Sequence, residues 1–366
     1  MTDTDHKMKI APSYWRALAG FIIFSLALTT ALWAWTTHRD ITLKMLGQPS
    51  SVGPIAYKLE EPFFSSLAAR TQPSIKIDYR TLNEATYRDE AQLQMLKNNE
   101  FDMVSLRILQ NQKYEPALEG FDLIGLSDDY IQAQKIAKAQ LPWVNKRLEQ
   151  RFDIKILGMW PFGSQVFFCR KPISTLSDLK GLKVRIGGDV FIPLIESLGA
   201  IPVVTTFGDA VLFLADQAVD CAVASQASGL AASWGRYAKN VFPIAVQMGL
   251  NGIVIQLSAW NGLSIKQQQD LQTAVDQYVE DAWKFAQELE QKATTCFAAN
   301  STCSLGPSYQ VQIVSVPKHD QDALKRFAMT VSVPQWFERC KAANLDCERQ
   351  WKTVLLPLLQ TSDKQF

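Results

Sequence analysis

Residues 184–224, VRIGGDVFIPLIESLGAIPVVTTFGDAVLFLADQAVDCAVA, decide the fold class of this chain. Short runs of β-branched and small apolar residues alternate here with longer runs whose apolar residues recur every three or four positions. The segments are, in order, a strand at 184–186, a helix at 190–198, a strand at 203–205, a helix at 209–217 and a strand at 221–224. Strands that alternate with helices predict an open, mostly parallel sheet with helices on both faces.

The same alternation continues on both sides of this stretch. Further strands are predicted at 41–46, 75–79, 101–105, 154–159 and 166–169, and further helices at 84–97 and 130–150. This many strands require more than one sheet of that kind. The sequence therefore predicts an α/β chain with two sheets.

One predicted helix, at 264–293, is long enough to link two lobes. Its apolar residues recur at three- and four-residue intervals, which gives one apolar stripe, as at Leu271, Val275 and Val279. Ser264 and Gln267 match the capping box that begins many helices.

The N-terminal region carries an uncharged apolar run at 17–35, ALAGFIIFSLALTTALWAW. It is close to the ~20 residues that a helix needs to cross a bilayer. Basic residues precede it, so residues 1–16 should stay in the cytoplasm. We expect an N-terminal membrane helix, either a signal anchor or a signal peptide, and the sequence leaves cleavage open.

Composition excludes several classes of function. Lys and Arg number 37 and Asp and Glu 36, a net charge of +1 without basic clusters, which argues against nucleic acid as a partner. The three histidines, His6, His38 and His319, are too few and too scattered for a histidine-based catalytic or metal site. Motifs of hydrolases, nucleotide-binding enzymes and metalloproteases are missing. We expect neither an enzyme nor a cofactor.

The cysteines agree with an exported chain. Two segments share one spacing, and local bridges Cys296–Cys303 and Cys340–Cys347 are the simplest pairing. Cross-pairing of the two segments stays open, and zinc is a rival interpretation. Cys169 and Cys221 lie in apolar runs and are expected to be buried small hydrophobic residues.

Several motifs resemble those of one family. Residues 179–188, LKGLKVRIGG, are similar to the stretch L-K-G-L-K-[IV]-R-[IV] of the TRAP transporter solute-binding proteins, the DctP-like periplasmic receptors. Other similar segments stand in the family's order, at 99–105 (NEFDMVS), 156–163 (ILGMWPFG), 198–203 (LGAIPV), 218–220 (AVD) and 257–263 (LSAWNGL). The resemblance covers roughly residues 41–295.

The resemblance implies a two-lobed α/β clamshell that closes over a small polar organic solute. The implied divisions are lobe I at 41–155 with part of 248–295, lobe II at 156–247, and a disulfide-containing C-terminal segment at 296–366 that packs on the lobes. It also implies a location in the periplasm of a Gram-negative bacterium and a membrane permease pair, driven by an ion gradient, as partner.

The chain departs from the family at the ligand clamp. Most members place an arginine where this chain has Gln165, and their ligand-facing asparagine falls near Ala224. Three explanations stay open. The ligand is neutral or amide-like and meets Gln165; another arginine, Arg185 or Arg107, binds its carboxylate; or the protein binds an atypical ligand or has lost transport. Arg185 could instead brace its turn.

Other candidate ligand contacts lie at predicted strand ends and turns. These are Ser105, Trp160, Phe162 and Phe207, and ordinary core packing is the alternative for the aromatic residues. Two other functions are weighed against the transport receptor: an ABC-type periplasmic binding protein, and a membrane-anchored ligand-sensing domain without transport.

Overall fold

The computed structural model describes residues 39–82, 91–298 and 302–362. The apolar run at 17–35 lies outside the described residues, as does the first part of the helix predicted at 84–97. Within the described ranges, no helix combines the length and apolar character needed to cross a bilayer.

The described elements follow the predicted order. The strands are β1 (Ile41–Gly47), β2 (Ile75–Thr81), β3 (Met103–Arg107), β4 (Ile154–Pro161), β5 (Gln165–Cys169), β6 (Lys183–Ile186), β7 (Ile201–Val204), β8 (Cys221–Ser225), β9 (Asn240–Gln247), β10 (Leu250–Gln256) and β11 (Gln312–Ile313). The α-helices are α1 (Glu61–Ser65), α2 (Gln92–Lys97), α3 (Ile108–Asn111), α4 (Tyr130–Phe152), α5 (Ile192–Ser197), α6 (Phe207–Ala215), α7 (Gln226–Ala231), α8 (Leu257–Gly262), α9 (Ile265–Phe297), α10 (Lys318–Phe327), α11 (Val333–Ala342), α12 (Cys347–Gln350) and α13 (Leu356–Ser362).

The strands form two sheets, which confirms that prediction. The first sheet has the order β2-β1-β3-β10-β4, and the second has the order β11-β9-β5-β8-β6-β7. All residues of β3 and β10 are buried, as expected of strands covered on both faces by helices. We call each sheet with the helices that pack on it a lobe, the first and the second.

The stretch at 184–224 forms one half of the second sheet. Strand β6 lies between β7 and β8 and is parallel to both, as the strand–helix alternation predicts. Strands β5 and β9 continue the sheet in antiparallel pairing.

The chain crosses between the lobes after β4 and again after β9. The two crossings pair with each other, because Phe162 N donates to Gly249 O at 3.0 Å and Gly163 N to Met248 O at 3.2 Å. Gly163 and Gly249 have φ of 119° and 64°, where other residues are strained. We propose that the lobe boundaries lie at these crossings; the division after residue 155 expected from the sequence would fall inside β4.

Asp122, in the first lobe, fastens the second crossing. Its carboxylate accepts hydrogen bonds from Met248 N at 3.0 Å and from Leu250 N at 3.2 Å. Burial raises the pKa of Asp122 to about 7, although these backbone N–H groups act in the opposite direction. Strands β9 and β10, which flank this crossing, were not predicted from the sequence.

The long helix α9 spans both lobes. Ser264 caps its first turn in the predicted capping box with Gln267. Farther along, Trp283 Nε1 donates to a carbonyl of β4 at 2.9 Å, and near its end Thr294 donates to Gln226 of α7 at 2.8 Å. A single rigid element therefore contacts the first lobe, then the second.

The C-terminal segment also packs on both lobes. Asp320 of α10 accepts a hydrogen bond from Leu176 N at 2.9 Å in the second lobe. Trp336 of α11 is fully buried and donates to Pro116 O of the first lobe at 2.9 Å.

Three disulfides link the six described cysteines. Cys296–Cys303 and Cys340–Cys347 confirm the local pairing. The expectation for Cys169 and Cys221 was wrong in one respect: both are buried, but they are bonded to each other. They face each other across antiparallel β5 and β8 with Cα atoms 4.1 Å apart, and only the pairing of the strands brings them together.

Candidate functional site

A cleft between the lobes collects side chains from the carboxyl ends of β3, β6 and β8. It contains about 580 Å³ of space, a figure that includes its open mouth. Open α/β sheets bind ligands at this end of their strands. The wall residues are, from the first lobe, Val52, Arg107, Leu109 and Gln110; from around the crossings, Phe162, Gly249, Leu250 and Asn251; and from the second lobe, Gln165, Arg185, Gly187, Phe191, Phe207, Val223, Ala224, Ser225 and Ser228.

The lobes touch on two sides of this cleft. Ser228 Oγ of the second lobe donates to Val52 O of the first at 3.0 Å. Leu109, from α3, lies against Gly188, where an added Cβ would approach Leu109 Cδ1 to 3.3 Å. Because these contacts join the two lobes across the cleft, we describe this arrangement as closed.

Arg185 is the most constrained polar side chain of the wall and is only 3% exposed. Nε and Nη2 both donate to Thr205 O, at 3.1 and 2.7 Å, and Nη1 donates to Val223 O at 3.1 Å. Because a guanidinium has five N–H bonds, one on Nη1 and one on Nη2 are left for an acceptor in the cleft. Bracing the strand ends and binding a ligand are therefore compatible roles.

The charge of Arg185 is poorly compensated. Its partners among the described residues are backbone carbonyls. Burial, and then repulsion by Arg107, lower the pKa of the guanidinium to about 9, while Asp209 acts in the opposite direction. The group stays charged at neutral pH, at a cost that a bound anion would reduce.

Arg107 and two aromatic rings form the opposite wall and the floor. The Arg107 guanidinium lies over the Phe162 ring, with Cζ 5.6 Å from the centroid, a cation–π arrangement. Phe207 stacks on Trp234 at 5.4 Å between centroids. The cleft therefore combines apolar faces with guanidinium groups.

Gln165 lines the cleft where the two crossings meet. Its Nε2 donates to Gly163 O at 2.9 Å, and its carboxamide packs against Gly249, where an added Cβ would lie 2.6 Å from Nε2. Ala224, which stands near the family's asparagine position, lines the same wall.

Trp160 and Ser105 lie one layer behind the wall. Trp160 is fully buried, with its ring 5.1 Å from that of Phe162. Ser105 donates to the buried carboxylate of Glu60 at 2.5 Å, which also accepts from Tyr278 of α9 at 3.2 Å. Burial raises the pKa of Glu60. Trp160 therefore supports the ring of Phe162, and Ser105 belongs to a buried hydrogen-bond network with Glu60 and Gln48.

Asn251 is a wall residue that the sequence did not indicate. It lies between Arg107 and Trp160 across the first sheet, and its Nδ2 donates to Gly249 O at 3.2 Å. The available signal was the pair of β-branched runs that surround Gly249, which mark a strand pair returning to the first sheet.

The described wall residues include two positive side chains, Arg107 and Arg185, and no acidic one. A carboxylate accepts charge-assisted hydrogen bonds from guanidinium groups readily. An ammonium group would meet repulsion from these two side chains and no carboxylate among the described wall residues. The site therefore favours a small anion with an apolar body.

Comparison with known proteins agrees with this architecture. Residues 50–328 match the model of the family described as bacterial extracellular solute-binding protein, family 7. The sialic acid-binding periplasmic protein SiaP of Vibrio cholerae is 24% identical over 54% of this chain and 61% of its own length. The C4-dicarboxylate-binding periplasmic protein DctP of the same organism is 27% identical over 35% of this chain and 39% of its own length.

Among solved structures, DctP7 of Bordetella pertussis, an extracytoplasmic solute receptor binding pyroglutamic acid, superposes with a TM-score of 0.74. The two share 16% identity, and the match covers 87% of this chain and 99% of that one. This likeness shows the two-lobed fold, and the sequence alignments span less than two thirds of the curated relatives' lengths. The family model covers most of the chain, including both lobes and the cleft, and the protein therefore belongs to family 7 of the bacterial extracellular solute-binding proteins.

Proposed function

We propose that this protein is the extracytoplasmic receptor of a TRAP-type secondary transporter and that it traps a small organic acid between its lobes. One observation carries the proposal: Arg185, buried at the strand ends, keeps two N–H bonds for an acceptor in a cleft whose described wall has no acidic side chain. Such a group can bind a carboxylate with these two N–H bonds while its other three brace the strand ends.

The geometry supports binding by closure. The ligand would contact Arg185 of the second lobe and Arg107 of the first, and these come together only when the lobes close. A ligand stabilises the closed state by as much as it binds that state better than the open one. In this arrangement the lobes also touch directly, through Ser228–Val52 and Leu109–Gly188.

The relatives support an acid as the ligand class. Sialic acid, C4-dicarboxylates and pyroglutamic acid, which those proteins bind by name, all carry a carboxylate. Of the three explanations for the missing clamp arginine, we favour the second, in which Arg185 and Arg107 bind the carboxylate.

Partner and location follow from this function as part of the proposal. The closed receptor would deliver its ligand to a permease in the inner membrane, in the periplasm of a Gram-negative bacterium. Residues 17–35 would serve as signal peptide or membrane anchor.

A thermal-shift screen of the purified protein against small carboxylic acids tests the proposal. A ligand present at a hundred times its Kd stabilises the folded state by about 2.7 kcal/mol. We expect at least one acid to raise the melting temperature reproducibly, and calorimetry to give a single site. No stabilisation by any acid at millimolar concentration would contradict the function.

A further inference from the structure

The polar groups of the cleft fall into two chemically different ends. Arg185 and Arg107 line the same cleft from opposite lobes and form its cationic end. Gln165 and Asn251 form the other end, which we call the amide end. Its side chains are neutral, and the two ends meet where Asn251 pairs with Arg107 across β10 and β3.

The amide end is held in place by the crossings. Gln165 Nε2 donates to Gly163 O on the first crossing, and Asn251 Nδ2 donates to Gly249 O on the second. The glycine at position 249 leaves room for the Gln165 carboxamide, which a Cβ there would meet at 2.6 Å. Both amides are therefore fixed relative to the hinge before a ligand arrives.

Each amide keeps unused hydrogen-bonding capacity. A primary carboxamide has two N–H donors and one carbonyl acceptor. Gln165 and Asn251 each use one N–H on a backbone carbonyl, and no described residue donates to Gln165 Oε1 or Asn251 Oδ1. Each side chain thus offers one donor and one acceptor to the cleft, the pattern that complements another amide.

We propose that Gln165 selects, within the proposed receptor function, small acids that carry a carboxylate at one end and a neutral amide at the other. The carboxylate binds the cationic end, and the ligand amide exchanges donor and acceptor with Gln165, assisted by Asn251. A second carboxylate is disfavoured at Gln165 because a neutral carboxamide gives it a weaker hydrogen bond than a charged guanidinium would. A zwitterionic amino acid is disfavoured because the described wall has no carboxylate for its ammonium group.

A matched ligand set tests this with the purified protein. Succinamate has a carboxylate and an amide, succinate has two carboxylates of the same size, and butyrate has one carboxylate and an apolar end. Pyroglutamate presents an amide within a ring. Calorimetry should show succinamate or pyroglutamate binding at least about tenfold more tightly than succinate and butyrate, since an unpaired polar group or charge in a buried site costs at least that much.

Variants at position 165 separate selection from general stability. Gln165→Leu should remove the preference for succinamate over butyrate, and Gln165→Arg should reverse the order of succinamate and succinate. Gln277→Leu is the matched control, because Gln277 is exposed on α9, donates to Asp281 at 3.0 Å and is not among the wall residues. That control should leave the order of the four ligands unchanged.

The outcomes distinguish the two proposals. If succinate or another dicarboxylate binds as tightly as the amide acids, or if the order survives Gln165→Leu, the receptor function stands and selection by Gln165 is overturned. If no acid binds to the wild-type protein, both fail. A Gln165→Leu variant that does not fold is replaced by Gln165→Glu, which keeps the shape of the side chain and should weaken binding of every acid in the set at least tenfold through repulsion.

Discussion

Replacing Arg185 with methionine should nearly abolish ligand binding while leaving the protein folded. The wild-type side chain keeps two N–H bonds for the ligand, and a hydrogen bond that involves a charged group contributes about 1.5–3 kcal/mol. Losing both removes about 3–6 kcal/mol, which corresponds to an affinity about 10²- to 10⁴-fold lower. Arg185→Lys keeps the charge but not the two-pronged geometry, so its loss should be smaller.

Stability should respond much less than affinity. The variant leaves the carbonyls of Thr205 and Val223 without their donors, which costs free energy, but it also removes a buried charge whose pKa burial lowers to about 9. These two effects offset each other in the unliganded protein.

Calorimetry with the best acid of the thermal-shift screen measures the affinity, and urea unfolding measures the stability. Arg236→Met makes the same chemical change on an exposed residue of the second lobe and should alter neither quantity. If Arg185→Met binds within threefold of the wild type, Arg185 does not hold the carboxylate and the charge argument is refuted.

Three further predictions concern the crossings and the second sheet. The first concerns Asp122, whose pKa burial raises from the ordinary 3.8 to about 7, so that the folded protein keeps a proton on this residue between the two values. The stability of the wild type relative to Asp122→Asn should therefore fall as the pH rises through that window, by at most about 1.4 kcal/mol per pH unit in urea unfolding. A difference in stability that does not change with pH would contradict the buried titration. The second concerns the bridge Cys169–Cys221, which joins residues 52 positions apart. Replacing both cysteines with serine should lower the free energy of unfolding by about 4 kcal/mol, whereas removing either local bridge should lower it by about 2 kcal/mol, because a bridge that closes a longer loop restricts the unfolded chain more. Equal losses would contradict this dependence on loop length. The third is that Gly249→Ala should cost about 1–2 kcal/mol of stability for its positive φ alone and should weaken ligand binding by displacing Gln165. In a Gln165→Ala background only the backbone cost should remain. An equal loss of affinity in both backgrounds would show that a side chain at 249 does not meet Gln165.

Local features of the fold were predictable from the sequence because they depend on residues a few positions apart. The capping box at Ser264 and Gln267 marks the start of α9 through hydrogen bonds within one helical turn. The bridges Cys296–Cys303 and Cys340–Cys347 each join cysteines seven residues apart. Strand–helix alternation at 184–224 likewise predicts the parallel strands β6, β7 and β8.

Part of the cleft was predictable for a different reason. The motif order of the family placed Gln165 and Arg185 in the cleft wall, and the structure brings both there with Arg107, Phe162 and Phe207. Trp160 and Ser105 were also candidates but are not among the wall residues. Alternation along a strand predicts on which face of the sheet a side chain lies, but it does not predict whether other residues cover that side chain.

By itself the sequence indicated most of the strands and helices between residues 41 and 293, their order, the two local bridges as the simplest pairing, and the resemblance to the family. Tertiary structure alone decided the Cys169–Cys221 bond, the pairing of the two crossings, the contact between Gln165 and Gly249, and the carbonyls that hold Arg185. Each of these joins residues far apart in the chain, and each exists only because strands from distant segments lie side by side. The charge of the cleft follows from the same cause, because it depends on which side chains the closed lobes bring together.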